Sequence, residues 1–203
     1  DLHLLSRRQR QMCIRDRAVE AYYFSTSAGV TSTDEIWGSD EAAPYLRSVP
    51  CKFDEEEPWS SWIVELPWKM LEDRIREKGE GTVLRSVTVT RRSESGAATA
   101  LEAVSDKDSC IIENEYEIRK FLAPVNCMIT EKDGTETAGG SLLPSAYFEL
   151  ERTQNGNLQV RGKGYGHGVG MSQTGADKMA EQGYDYREIL DYFFRNITVE
   201  NLG

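Results

Sequence analysis

The amino-acid sequence predicts an α+β fold with mostly antiparallel sheets and a few helices. Apolar and polar residues alternate over residues 83–92 and 98–105, which is typical of half-buried strands because side chains alternate between the two faces. Ser93 to Gly96 lies between these segments and has the composition of a hairpin turn. A second such turn is predicted at residues 154–157. Short turns join antiparallel neighbours, so the two hairpins favour antiparallel sheets.

The other elements are predicted in turn along the chain. Pro67 separates a strand from an amphipathic helix whose apolar residues recur at helical spacing. Asp185 and Glu188 have the spacing of a capping box, which predicts the start of a second helix. Residues 115–121 fit a short helix or a turn, and the acidic run 54–57 is predicted to be a connector. Further strands are predicted at residues 20–25, 127–130, 147–151, 158–160 and 197–199.

A glycine-rich segment near the C-terminus carries the main candidate site. Glycine occupies every second position from Gly162 to Gly170, which predicts a strand with one face made only of glycine. Such a face admits a ligand or another backbone at close range. Helical spacing follows from Ala176 to Gly183, so this strand is expected to deliver His167 to a helix start. From the pattern alone, a ligand site and a purely structural strand that packs under a neighbouring segment are about equally favoured.

Two common glycine motifs are excluded. The dinucleotide-binding fingerprint fails because Val169 and Met171 stand where its third glycine is required. The phosphate-binding loop fails because Ala176 and Asp177 replace its lysine and its hydroxyl residue.

Composition narrows the classes of partner. The 203 residues carry a net charge of -10, which argues against nucleic-acid binding because phosphate contacts need a basic surface. No apolar run reaches the roughly 18 residues of a membrane-spanning helix, so no membrane segment is predicted in this chain. Four scattered cysteines and one internal histidine do not suggest a zinc site. Cys110 and Cys127 are candidates for a disulfide, although free buried thiols are the favoured interpretation.

Residues 1–17 differ in composition from the rest of the chain. They contain five arginines and two aspartates, whereas the remainder is acidic. One interpretation is a basic arm or a short presequence. The interpretation we favour is a non-native leader, since residues 11–17 resemble the translation of a sequencing adapter. On that hypothesis the native sequence resumes near Ala18.

The glycine-rich segment and the residues after it resemble the C-terminal signature of the stage II sporulation protein D family. That signature is a G-x-G-H-G-x-G-M-S-Q-x-G-A run followed by a helix and a Gly-Tyr pair. Gly164 to Ala176 and Gly183-Tyr184 match it. A Ser-Thr loop at residues 22–38 and a β-rich region at residues 82–108 also agree, so the resemblance extends from about Val19 to the C-terminus.

The resemblance implies a domain organisation. Residues 18–57 and 140–203 correspond to the core of the family domain, and residues 58–139 to a β-rich middle subdomain. The family's N-terminal membrane anchor and its Ser-Glu-Met-Pro type motif, which holds the catalytic glutamate, find no match. The resemblance therefore implies a fold that is incomplete at the N-terminus and a catalytic glutamate that lies upstream of this chain.

The resemblance also implies a function. Family members are lytic transglycosylases that cleave denuded peptidoglycan strands between N-acetylmuramic acid and N-acetylglucosamine during sporulation engulfment. They act outside the cytoplasm of spore-forming bacteria, facing the cell wall and anchored to the membrane at full length. The implied partners are glycan strands and a cell-wall amidase, with no cofactor. The alternative is a non-catalytic wall-binding or amidase-enhancer module, since amidase enhancers share the domain.

Six residues are candidate substrate contacts, and each also has a purely structural explanation. His167 is expected to orient substrate or to bond to backbone, and Tyr165 to stack on a sugar ring or to cover the core. Ser172 and Gln173 are expected to touch sugar, to cap their helix, or both. The candidate set is Thr26, Ser27, Tyr165, His167, Ser172 and Gln173, with no catalytic residue in this chain.

No metal is expected. Some family members bind zinc through histidine and cysteine in the Ser-Thr loop region. This chain has Phe24, Ser27 and Val30 there, which do not form a ligand set.

Overall fold

The computed structural model describes residues 10–14 and 17–201 and confirms the α+β fold with mostly antiparallel sheets. Short 3-10 turns lie at Asp34–Trp37, Lys52–Asp54 and Pro58–Ser60. The helices are α1 (Trp68–Glu77), α2 (Glu115–Phe121), α3 (Gln173–Glu181) and α4 (Tyr186–Phe193). The strands are β1 (Arg10–Ile14), β2 (Arg17–Ala18), β3 (Tyr23–Phe24), β4 (Trp62–Leu66), β5 (Leu84–Arg92), β6 (Ala98–Ser105), β7 (Ser109–Glu113), β8 (Met128–Glu131), β9 (Glu136–Ala138), β10 (Phe148–Arg152), β11 (Leu158–Gly162), β12 (Met171–Ser172) and β13 (Thr198–Asn201).

A five-stranded antiparallel sheet lies at the centre of the fold, in the order β10-β11-β4-β8-β9. In β11, Val160 lies opposite Leu150 on one side and Val64 on the other. Strand β4 buries every second residue, as the pleat requires of a sheet with one covered face. The β11–β4 ladder joins residues on both sides of the predicted boundary near residue 140, and that domain division stays a prediction.

The predicted hairpin at residues 93–96 is confirmed. Strands β5 and β6 pair antiparallel on either side of it, and β7 adds to β6. The helix predicted after Pro67 begins at Trp68 as α1. Leu71 of α1, Leu101 of β6 and Ile118 of α2 are fully buried in one apolar core that also includes the buried face of β4.

A second apolar core lies under the C-terminal helices. The predicted capping box of Asp185 and Glu188 is confirmed at the start of α4. Met179 of α3 and Phe193 of α4 pack there against Val169 of the glycine-rich segment. The glycine-rich segment is therefore held between the central sheet and this second core.

The predicted strand at residues 20–25 is shorter in the structure than expected. Only Tyr23 and Phe24 form a strand, β3, which pairs parallel with β12. The ladder stops there because β12 is itself only two residues long.

Part of the predicted leader is ordered as a strand. Residues 10–14 form β1, which pairs with β13 on one side and β2 on the other. Residues 1–9, 15 and 16 lie outside the described part of the chain. The hypothesis that residues 1–17 are non-native stays a prediction.

The prediction of a glycine strand is wrong beyond Gly162. Strand β11 ends at Gly162, and Gly164, Gly166, Gly168 and Gly170 have φ values of 76°, 114°, 85° and 80°. Positive φ at every second residue turns the chain repeatedly, so these glycines do not line one face of a strand. Residues 163–170 are called the glycine segment below.

The glycine segment is held by backbone hydrogen bonds to the Ser-Thr loop. Thr26 and Tyr165 exchange two backbone hydrogen bonds of 3.1 and 2.8 Å, and Ser32 N–H donates to Gly168 O at 2.6 Å. A Cβ at Gly164 would lie 2.8 Å from the backbone N of Ala28 and 2.8 Å from Thr26 O. Glycine at 164 therefore permits both the left-handed backbone and the close approach of the loop.

Two further features bear on the sequence analysis. No helix within residues 10–14 and 17–201 is long and apolar enough to span a membrane. Cys51, Cys110 and Cys127 are thiols, of which Cys51 is fully buried.

We expect Gly164→Ala to destabilise the protein more than Gly134→Ala. Gly134 also has positive φ, at 86°, but a Cβ there meets nothing within 4 Å. Gly134→Ala should cost about 1–2 kcal/mol of unfolding free energy from backbone conformation alone. Gly164→Ala should cost roughly 1–3 kcal/mol more, because a methyl group is forced into the loop backbone. Urea unfolding followed by circular dichroism measures both, and equal costs would contradict this account.

Candidate functional site

An exposed pair of aromatic rings marks the outer side of the glycine segment. Trp59 and Tyr165 pack edge to face with ring centroids 4.6 Å apart. Gly164 N–H donates to Trp59 O at 2.8 Å, which holds residues 59–61 alongside the glycine segment. Trp59 is half-buried and Tyr165 is 43% exposed. We call these two side chains the aromatic platform.

A cleft of about 410 Å³ opens on one side of the aromatic platform. Both platform rings line it, together with the loop at residues 140–144 and the guanidinium-bearing Arg119. Arg119 is buried and forms an ion pair of 2.5 Å with Glu115, which is also buried. Its Nε donates to Leu143 O at 2.8 Å, so the ion pair fixes the loop that forms the far wall of the cleft.

Two depressions adjoin the other side of the platform. One, of about 360 Å³, is lined by residues 27–29, Ser60 and Ser61 and by four ionisable side chains, Asp54, Glu55, Lys132 and Lys163. The next, of about 250 Å³, shares Ala28 and Lys163 with it and adds Arg92, Arg161 and Glu149 among its lining side chains. We call these the basic depressions. The cleft and the first depression share no lining residue, but Trp59 of the cleft is followed in the chain by Ser60 of the depression, and Lys163 of the depression stands two residues before Tyr165 of the cleft.

A larger hollow of about 620 Å³ lies elsewhere, lined by residues 35–39, 91–94 and 113–114 and by Thr99. Its lining carries three carboxylates, Glu35, Glu94 and Glu113, against two arginines. Arg91 is paired with Glu113 at 3.1 Å. We favour the surface that includes the aromatic platform, because it combines two aromatic rings with polar side chains in the adjoining hollows.

The floor of the first basic depression is anchored by a buried carboxylate. Asp54 is 1% exposed and accepts hydrogen bonds from three separate segments. Its Oδ2 accepts from Ser27 N–H at 3.0 Å and from Cys51 Sγ at 3.1 Å. Its Oδ1 accepts from Ser172 Oγ at 3.2 Å and from the hydroxyl of Thr174. Asp54 therefore joins the Ser-Thr loop, its own 3-10 turn and the start of α3.

The Cys51 thiol is unsuited to nucleophilic chemistry. Burial, reinforced by the neighbouring Asp54 carboxylate, raises the pKa of Cys51 to about 12. The thiolate is the reactive form of cysteine, and it is not populated near neutral pH at such a pKa. The thiol acts here as a hydrogen-bond donor to Asp54.

His167 lies behind the aromatic platform and lines none of the hollows described above. Its ring packs against Trp37 and Phe24, with centroids 5.2 and 5.8 Å away. Its Nδ1 accepts a hydrogen bond of 3.1 Å from Val169 N–H, as expected of a neutral ring. Burial lowers the pKa of His167, and the nearby charges of Glu115 and Arg119 act in opposite directions.

The six predicted contact residues fall into two groups. Tyr165 is on the exposed surface and Gln173 is exposed at the first residue of α3, whereas Ser27 borders the first basic depression but is only 1% exposed. Thr26 and Ser172 are buried, and His167 is half-buried. The Ser172 hydroxyl caps α3 by accepting from Gly175 N–H at 3.2 Å, which is the structural explanation given for it above.

Sequence reasoning missed Asp54, Trp59 and Lys163. Asp54 begins a run of four acidic residues that resembles a solvated connector. Trp59 follows that run without any strand or helix pattern. Lys163 stands inside the glycine repeat, and its position next to the motif was the only feature of the sequence that could have marked it as a contact residue.

We expect Asp54→Asn to destabilise the fold strongly. An amide nitrogen in place of one carboxylate oxygen cannot accept hydrogen bonds, and each donor left unpaired costs roughly 1–3 kcal/mol. Asp40→Asn is the control, because Asp40 is exposed; it should change stability by less than about 0.5 kcal/mol. Chemical denaturation of both variants tests this, and similar midpoints for the two would refute the role of Asp54.

The burial of His167 predicts a pH dependence of stability. With a lowered pKa in the folded state, His167 binds a proton more readily in the unfolded chain. Its contribution to stability is therefore lost as the pH falls below about 6.5, the unfolded value. His167→Asn retains a hydrogen-bond acceptor but does not titrate there. The stability advantage of the wild type over this variant should shrink towards acid pH, whereas a constant difference would contradict the prediction.

Comparison with known proteins gives several matches. The family described as a domain of unknown function (DUF8618) matches residues 47–170. Stage II sporulation protein D of Bacillus amyloliquefaciens is 29% identical over 184 residues, which cover 91% of this chain and 46% of that protein. The protein of the same name from Bacillus subtilis (strain 168) is 28% identical over 185 residues, covering 91% and 46%. The amidase enhancer of Bacillus subtilis is 21% identical over 214 residues, covering 89% and 30%.

The chain thus spans about half the length, or less, of the curated relatives it matches. The matches to the two sporulation proteins cover nearly all of it, and the residues of the motif are the ones that hold the glycine segment against the Ser-Thr loop. This chain belongs to the stage II sporulation protein D family and, over residues 47–170, to the family described as a domain of unknown function, DUF8618.

Proposed function

We propose that this chain is the glycan-binding part of a bacterial peptidoglycan lytic transglycosylase that cleaves denuded strands between N-acetylmuramic acid and N-acetylglucosamine during sporulation. The two relatives named stage II sporulation protein D support a role in sporulation. The proposed setting is extracytoplasmic and facing the cell wall, with membrane anchoring in the full-length protein.

The observation that carries the proposal is the aromatic platform, which lines the cleft and lies close in the chain to the residues of the first basic depression. Ligand sites combine apolar or aromatic surface with a few polar groups that fix orientation. Tyr165 is 43% exposed and Trp59 is half-buried, so both rings offer apolar surface to the C–H face of a sugar ring. Ser60, Ser61 and Ser141 line the adjoining hollows and offer hydroxyls to sugar oxygens.

The proposed reaction needs a carboxylic acid that protonates the glycosidic oxygen, after which the muramic 6-hydroxyl attacks the anomeric carbon and forms the anhydro sugar. The buried carboxylates of the described residues are already engaged. Asp54 accepts four hydrogen bonds, Glu115 is paired with Arg119, and Glu131 accepts from the Thr137 hydroxyl at 2.5 Å. We therefore propose that the acid belongs to a segment that this chain does not contain.

A second candidate function is a non-catalytic module that binds the wall and assists a cell-wall amidase. The relative named amidase enhancer favours it, and so does the full engagement of the buried carboxylates. The same aromatic platform would serve both functions, so glycan binding is the shared property and cleavage is the property that separates them.

Binding to denuded glycan strands tests the proposal. We expect Tyr165→Ala to weaken binding about tenfold, through the loss of ~1.4 kcal/mol of stacking energy. Tyr116→Ala is the matched control, because Tyr116 is 50% exposed on α2 and lines none of the hollows. Sedimentation with insoluble glycan and calorimetry with soluble fragments measure the effect.

Each outcome of this experiment is informative. Loss of affinity in Tyr165→Ala alone supports the proposal, and absence of any glycan binding by the wild type refutes it. Incubation of the same strands with this chain should release no anhydro-muramic products above background. Their release would show that the chain holds its own acid.

A further inference from the structure

We propose that the basic depressions bind carboxylate groups of the glycan, with the ammonium group of Lys163 as the principal contact. This inference rests on the proposed glycan-binding function and names the chemical feature of the glycan that is recognised.

The charge of the basic depressions contrasts with that of the whole protein. The chain carries a net charge of -10, yet the two adjoining hollows are lined by four cations, Lys132, Lys163, Arg92 and Arg161, against the three carboxylates of Asp54, Glu55 and Glu149. Clustered cations in an otherwise acidic protein raise the local concentration of anions at that place. Because nucleic acid is disfavoured by the overall charge, a smaller anionic group is the better candidate.

Three of these four cations already have partners in the protein. Lys132 is paired with Glu56 at 3.1 Å, and Arg161 lies 3.9 Å from Glu151. Arg92 donates to Phe148 O at 2.8 Å and pairs with Glu149 at 3.0 Å.

Lys163 differs from them. Within the part of the chain that the structure describes, its exposed ammonium group has no ion-pair partner. It is also the charged side chain that lines both depressions. An uncommitted cation at the junction of two hollows is the group best placed to receive an anion.

The backbone on which Lys163 stands is firmly held. Lys163 N–H donates to Tyr147 O at 2.9 Å, and the Ser145 hydroxyl donates to Lys163 O at 2.6 Å. The next residue, Gly164, packs directly on the Ser-Thr loop. The lysine side chain therefore starts from a fixed point, and less conformational entropy is lost when it contacts a ligand.

Lys163 stands two residues from Tyr165, so their backbones are at most about 7 Å apart. A glycan whose ring stacks on the aromatic platform would bring a substituent of that ring, or of the next one, over Lys163. In peptidoglycan the carboxyl-bearing sugar is muramic acid. When no peptide is attached, its lactyl carboxyl group is a free anion. When a peptide is attached, that carboxyl group is an amide, and the carboxylates present are those of the peptide.

The test compares four proteins on three glycans. The proteins are the wild type and the variants Lys163→Gln, Lys163→Arg and Lys120→Gln. Lys120 is exposed on α2 outside the hollows, so its variant controls for the loss of one positive charge. The glycans are denuded strands, the same strands with their carboxylates converted to methyl amides, and peptide-bearing strands.

We expect Lys163→Gln to bind denuded strands roughly two- to fivefold more weakly than the wild type, the range of an exposed ion pair. Lys163→Arg should retain most of the affinity, and Lys120→Gln all of it. The lysine-dependent part of the affinity should weaken as salt is added and should vanish on the amidated strands. If Lys163→Gln loses more affinity for denuded strands than for peptide-bearing strands, the lysine binds the lactyl carboxylate. If it loses more affinity for peptide-bearing strands, the lysine binds carboxylates of the peptide.

Two results would overturn the inference, and they differ from failure of the proposed function. The inference is refuted if the wild type and Lys163→Gln bind denuded strands equally and also bind peptide-bearing strands equally. It is refuted as well if Lys163→Gln loses as much affinity for amidated strands as for unmodified ones. In both cases binding that still depends on Tyr165 leaves the proposed function intact. If the wild type binds none of the three glycans, both proposals fall.

Discussion

The buried carboxylate of Asp54 is the interaction on which the rest of the site depends. Its two oxygens accept from Ser27, Cys51, Ser172 and Thr174, so it fixes the Ser-Thr loop against the start of α3. Burying a carboxylate is costly unless its hydrogen bonds are satisfied, and here they are satisfied by groups from three segments. The floor of the first basic depression is therefore held from inside the protein, and its hydroxyls are used for structure rather than presented to solvent.

The glycine segment completes this arrangement by bringing its backbone close to the loop. Positive φ at alternate residues turns the chain so that Lys163 and Tyr165 face outwards while His167 and Val169 lie inwards. Lys163 then lines the basic depressions, and Tyr165, two residues later, lines the cleft. His167, the residue that the sequence motif makes most conspicuous, supports the segment from behind and does not line these hollows.

The sequence predicted those parts of the fold that local chemistry determines. The hairpin at residues 93–96, the helix after Pro67 and the capping box at Asp185 each depend on neighbouring residues, and each was confirmed. The glycine segment was predicted wrongly because alternating glycines fit an extended strand and a chain of left-handed turns equally well. Asp54 and Lys163 were missed because their roles come from partners far away in sequence, which no local pattern reports.

The central claim is that glycan lies along the aromatic platform and the basic depressions. The most direct measurement is the change in backbone amide chemical shifts while a short denuded glycan fragment is added. This account predicts that the largest changes occur at residues 27–29, 59–61 and 163–165, which line the platform and the first depression. Changes confined to residues 35–39, 113 and 114, around the larger acidic hollow, would contradict it.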